Sequence, residues 1–129
     1  VAVTGVQTCA LPILIPVLVR HGFETIRPEE LSPREQVLLF AETAILAGYH
    51  GAGNHNALFM EAGSKVIEVL NPRLFDHGVA RASASLGIEH WYTFADDLGH
   101  GSDARLDPAK LDRLLQYALD EGDATDSRY

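Results

Sequence analysis

The stretch His50-Gly51-Ala52-Gly53-Asn54-His55-Asn56 gathers the groups best suited to chemistry. Two imidazoles and two carboxamides stand there among two glycines. The stretch follows one apolar run, residues 44–48, and precedes another, residues 57–60. Glycines in such a turn let the backbone approach a ligand and can take positive φ. Free N–H groups at the start of the following helix favour an anion, typically phosphate. In open α/β sheets, ligands sit beyond the carboxyl ends of the strands. The turn is therefore a candidate cradle for a phosphate or pyrophosphate. The plain alternative is a tight strand-to-helix turn with no ligand. The dinucleotide fingerprint is excluded because the third glycine is missing, and a P-loop because no Gly-Lys-Ser/Thr follows. His50 and His55 match no zinc-ligand spacing and lack a nearby Cys or Asp, so no metal is expected there. Glu68 lies in the apolar run of residues 65–70. A buried carboxylate without a partner is costly, so Glu68 is a candidate for a bound role over a plain edge-facing one.

The elements that must position these groups alternate between strand and helix. Residues 14–21 read as the last turns of a helix stopped at Gly22, with Pro16 against it. Residues 23–27 alternate apolar and polar and read as a strand. Ser32-Pro33-Arg34-Glu35 combines an N-cap, a first-turn proline and a capping-box glutamate, so a helix starts there. Residues 44–48 fit a strand covered on both faces. A turn then leads into a short helix over 57–60, ended at Gly63. Residues 65–70 form another strand, stopped by Asn71-Pro72. Residues 75–86 read as helix with Gly87 as the stop. Residues 89–94 are β-rich, and residues 95–106 read as a polar loop. A last helix starts at Asp107-Pro108, with Leu111, Leu114, Leu115 and Ala118 on one face. This order implies parallel crossovers and a Rossmann-like layered α/β sheet.

The chain has 129 residues, and its formal net charge is −8. One domain is the default at that length. The acidic balance argues against a nucleic-acid surface, which needs clustered Lys and Arg. A single cysteine, Cys9, excludes a disulfide scaffold. The longest apolar run, residues 10–19, carries Pro12 and Pro16. It is about half the ~20 residues a membrane span needs, so no transmembrane segment is expected. Residues 3–13 resemble, codon by codon, the translation of a common sequencing-adapter oligonucleotide. Residues 1–13 are accordingly set aside as a leader foreign to the fold, and Cys9 with them. Residues 14–122 remain as the folded domain, with 123–129 as a frayed tail. The natural chain is expected to continue upstream.

Several motifs in register resemble one family. They are Glu30-Leu-Ser-Pro-Arg-Glu-Gln36, His50-Gly-Ala-Gly53, Asn56-Ala-Leu-Phe-Met60 and Gly63-Ser-Lys-Val-Ile-Glu68. Together they resemble the C-terminal part of glycosyltransferase family 61. The resemblance runs over residues 14–119, with Leu86-Gly87-Ile88 before the aromatic Trp91-Tyr92. It departs mildly at Ala62, where the family has proline, and at Asn54, where Leu or Ile is common. The family's Ser/Arg-rich strand, expected to touch the diphosphate, would lie before residue 14.

The resemblance implies the C-terminal half of a GT-B architecture, with a second Rossmann-like domain upstream in the same chain. It implies inverting transfer from a nucleotide-sugar donor, usually a UDP-sugar, to a glycan or other acceptor, with no metal or other cofactor. A bacterial member would act in the cytoplasm or at the inner face of the membrane. Donor-binding roles then fall to His50, Gly51, Ala52, Gly53, Asn56 and Glu68. The three consecutive backbone amides from Gly51 would face the pyrophosphate. His50 would donate to a phosphate or a sugar hydroxyl, and Asn56 would hold the turn or touch a phosphate. Glu68 would accept from the ribose hydroxyls. The general base is expected in the upstream half. Trp91, Tyr92 and Phe94 read as packing residues, with base stacking as the alternative. Asp96, Asp97, Asp103 and Asp107 read as a solvated loop and a helix cap. The competing function is a non-catalytic Rossmann-like module that binds a nucleotide or phosphate.

Overall fold

The computed structural model describes residues 2–5, 11–73, 76–97 and 104–120. Its strands are β1 (Ala2–Gly5), β2 (Glu24–Ile26), β3 (Ile45–Tyr49), β4 (Lys65–Leu70), β5 (Glu89–Phe94), β6 (Asp96–Asp97) and β7 (Ala104–Arg105). Its helices are α1 (Leu11–Arg20), α2 (Pro33–Ala41), α3 (Gly78–Leu86) and α4 (Pro108–Asp120). Five strands form one sheet in the order β2-β1-β3-β4-β5. Every pairing in it is parallel. This is a doubly wound Rossmann-like order, and its direction reverses between β1 and β3.

Alternation along the central strands puts a core on each face. Ala47 and Ile67 join Leu14, Val17 and Leu18 of α1 and Leu111, Leu115 and Ala118 of α4. Leu46 and Val66 join Phe40 of α2, Ala57, Met60 and Val79 of α3 on the opposite face. Successive strand residues point to opposite faces, so continuous apolar runs are what a sheet covered twice requires.

Local signals set most boundaries. Ser32 Oγ accepts from the Glu35 amide at 3.2 Å, and Glu35 Oε2 accepts from the Ser32 amide at 2.8 Å. That closes the capping box, with Pro33 in the first turn. Gly87 ends α3 at φ 71°, in the left-handed region. The helix α1 continues through Pro16. A proline there forfeits one backbone bond, and burial of Leu14, Val17 and Leu18 offsets the loss.

Four expectations change. Of the residues set aside with the leader, 2–5 form β1 in the interior of the sheet, paired to β2 and β3, and 11–13 form the start of α1. Both neighbours offer backbone groups that the amides and carbonyls of this strand satisfy, whatever its side chains. The helix expected from residue 75 begins at Gly78. Phe75 lies outside the described residues, and Asp76 Oδ1 accepts from the Gly78 amide at 2.8 Å, holding the chain in a turn. The loop of residues 95–106 contains the antiparallel pair β6–β7, while Asp103 lies outside the described residues. The helix expected over 57–60 is a 3-10 helix that already starts at Ala52 and runs to Phe59. Its buried positions, Asn54 and Ala57, lead on to Met60. That spacing of three suits the 3.0 residues per turn of a 3-10 helix. The tail of residues 123–129 lies outside the described residues.

Candidate functional site

The site lies at the carboxyl end of β3, beside the reversal point of the sheet. His50 continues that strand by one bond, its amide donating to the Val69 carbonyl at 2.8 Å. Gly51 then caps the 3-10 helix in extended backbone, φ 169° and ψ 179°. Gly51 therefore does not need positive φ, contrary to the expectation for a glycine turn. A Cβ at Gly51 would have only the Tyr49 carbonyl oxygen near it, at 3.9 Å. The opening N–H groups of a 3-10 helix have no carbonyl ahead of them within the helix. Ala52 and Gly53 supply the amides of that first turn, and Asn56 is half-buried in the next.

Glu68 is the centre of the arrangement. It shares the face of Val66, so it points toward the 3-10 helix and α3 rather than toward α1 and α4. Its partner across the ladder is Gly48, which carries no side chain there. Glu68 is 1% exposed. Its Oε1 accepts from Asn54 Nδ2 at 3.0 Å and from His50 Nδ1 at 3.2 Å. Its Oε2 accepts from His90 Nε2 at 2.8 Å. Burial pushes the Glu68 carboxyl up, but the hydrogen bonds from His90, Asn54 and His50 outweigh it. The group is held below its ordinary value of 4.5. A buried carboxylate is tolerable when charge-assisted bonds fill its oxygens in this way.

These contacts correct the role expected of Glu68. Both oxygens are engaged by protein donors and closed to solvent, so neither is open to a ribose. Two of the three partners were not among the expected site residues. In the sequence Asn54 reads as a mild departure from a family pattern. It is buried, and its Nδ2 also donates to the Tyr49 carbonyl at 2.8 Å. His90 lies on β5 opposite Val66, two residues before the Tyr92 that faces Glu68. A lone imidazole alternating with the aromatic Tyr92 and Phe94 along β5 is the available signal.

Outside this buried centre, the Asp76 amide donates to His50 Nε2 at 3.3 Å. Asp76 is exposed. The Gly78 amide holds its carboxyl below the usual range, with His50, His55 and His77 contributing. Along β5, the His90 and Tyr92 rings stack with centroids 6.0 Å apart, and Tyr92 meets Phe94 edge-on at 5.8 Å. Tyr92 and Phe94 are exposed, whereas Trp91 packs against the α1–α4 core. Among the described residues, no group of three or more His, Cys, Asp or Glu is arranged to hold a metal ion.

Residues 11–67 match the family model described as Glycosyltransferase 61. That region is glycosyltransferase 61-like, and the match supports a glycosyltransferase in general. The glycosyltransferase 61-like region begins at α1, after β1. It takes in the turn from His50 to Asn56 and ends one residue before Glu68. It spans less than half of the 129 residues. No curated protein matches the chain. No helix among the described residues is long and apolar enough to cross a membrane.

Proposed function

We propose that this domain binds the nucleotide diphosphate of a nucleotide-sugar donor, a UDP-sugar, at the turn from His50 to Asn56. It is the C-terminal part of a GT-B glycosyltransferase that passes the sugar, with inversion, to a glycan or other acceptor. A further Rossmann-like domain, upstream in the natural chain, completes the cleft. One observation carries this reading. The match covers the glycine turn, and the turn sits at the carboxyl end of β3 where the sheet order reverses. That is where doubly wound sheets place their ligands.

The backbone amides of Gly51, Ala52 and Gly53 face the pyrophosphate, and the start of the 3-10 helix favours negative charge there. Asn56 steadies the same turn. Glu68 acts indirectly, by holding His50 and Asn54 in place. Leaving-group charge is met by amides and side chains instead of a resident cation.

Thermal melts of the 129-residue chain with UDP, and with NAD as a control, test the reading. A ligand that binds only the folded state stabilises it by about 2.7 kcal/mol at a hundredfold excess over its dissociation constant. A melt raised by UDP and not by NAD is expected. A cooperative melt indifferent to UDP would remove the donor-binding reading.

A further inference from the structure

Hydrogen-bond direction points to the nitrogen of His50 that carries the proton. A backbone N–H can only donate, so the Asp76 amide, 3.3 Å away, meets a lone pair on His50 Nε2. The ring proton is then on Nδ1, which donates to Glu68 Oε1 at 3.2 Å. Glu68 cannot turn away, because Asn54 holds the same oxygen and His90 holds the other. His50 is thus oriented by a buried carboxylate at Nδ1, with Nε2 turned away from that carboxylate toward the exposed Asp76. A phosphate oxygen would find no donor at that lone pair. A hydroxyl group would meet it as a hydrogen-bond donor.

We propose that His50 is the general base of the transfer, taking the proton of the acceptor hydroxyl at Nε2, with Glu68, His90 and Asn54 as positioning residues. This rests on the glycosyl-transfer reading above. The acceptor hydroxyl replaces the long contact from the exposed Asp76 amide. As the O–H bond breaks, the oxygen's electron pair forms the bond to the anomeric carbon of the donor. The bond from that carbon to the diphosphate oxygen breaks, and its electron pair leaves with the diphosphate. The proton rests on Nε2 and is later released to water. The groups facing the resulting imidazolium are carboxylates, Glu68 on Nδ1 and Asp76 with Oδ2 3.7 Å from Nε2. A carboxylate behind the ring stabilises the imidazolium that forms.

Long-range ¹H–¹⁵N spectra of the histidine-labelled chain, with and without UDP, test the assignment. The expected result is an Nδ1–H tautomer for His50 that persists when UDP is bound. Glu68→Gln and His90→Leu should mix the tautomers, and His90→Gln, which keeps a donor, should restore the Nδ1–H form. An Nε2–H or doubly protonated His50 in the UDP complex would overturn the base and make His50 a phosphate ligand, leaving donor binding intact. An unchanged tautomer in Glu68→Gln would overturn the positioning role. No UDP binding by the unaltered chain would overturn the donor reading, and the base with it.

Discussion

His90 Nε2 stands 2.8 Å from Glu68 Oε2, joining two neighbouring parallel strands across a diagonal of their ladder. Both side chains are withdrawn from solvent, so the contact ties the edge strand β5 to the buried carboxylate behind the glycine turn. Its strength depends on Glu68 being ionised, and that dependence can be measured.

Glu68 is held below its ordinary value of 4.5 in the folded chain. A carboxyl depressed by folding contributes stability that is fully present above its unfolded value and is lost as pH falls through the folded one. Urea midpoints of the chain should therefore fall below about pH 4.5. Glu68→Gln should start less stable at pH 7 and show a shallower fall in acid. Parallel pH curves for the two proteins would show that Glu68 is not the responsible group.

Asn54 links the 3-10 helix to both Glu68 and the Tyr49 carbonyl. Asn54→Leu removes both bonds and leaves two buried acceptors short of a donor. Such losses cost about 1–3 kcal/mol. Equilibrium urea unfolding should show a destabilisation of that size, with an unchanged slope. A neutral or stabilising effect would mean that the carboxamide contributes packing alone.

Gly51 separates binding from folding. Its backbone is extended and a Cβ there meets nothing closer than 3.9 Å. Gly51→Ala should therefore unfold within about 0.5 kcal/mol of the unaltered chain, as substitutions away from packed or strained features do. A methyl group at the mouth of the turn should nevertheless weaken UDP at least about tenfold, equivalent to ~1.4 kcal/mol. Calorimetric titration measures the second effect, and equal affinities would place the diphosphate elsewhere.

The strand β1 pairs on both sides, with β2 and with β3. Proline in a central strand removes a ladder donor and is poorly accommodated. Val3→Pro should lower stability by about 1–3 kcal/mol and expose the edges of β2 and β3 to association. Size-exclusion chromatography and urea unfolding would read both effects. An unchanged chain would show that β2 and β3 do not depend on this strand.

Much of the fold is legible because its signals are local. Ser32, Pro33 and Glu35 lie within one turn and announce α2, and Gly87 stops α3 where only a residue tolerant of positive φ fits easily. The run Lys65–Leu70 is apolar enough to require cover on both faces. The site is only partly legible. His50, Gly51 and Glu68 stand out by type, but the bond from His90 depends on the register of β5 against β4, which is a long-range property. Asn54 is hidden for a different reason. Its burial follows from a period of three shared with Ala57 and Met60, and an α-helical period obscures that spacing. The strand β1 is hidden because residues 3–13 resemble a translated adapter, while the pairing needs of β2 and β3 draw on backbone groups that any strand can meet.

The most direct test of donor binding is the ¹H–¹⁵N amide spectrum of the chain during titration with UDP. Saturable shifts of the Gly51, Ala52 and Gly53 amides are expected, absent with uridine, which lacks the phosphates, and weakened in Gly51→Ala. Amides of this turn that stay unmoved while UDP binds elsewhere, or does not bind, would contradict it.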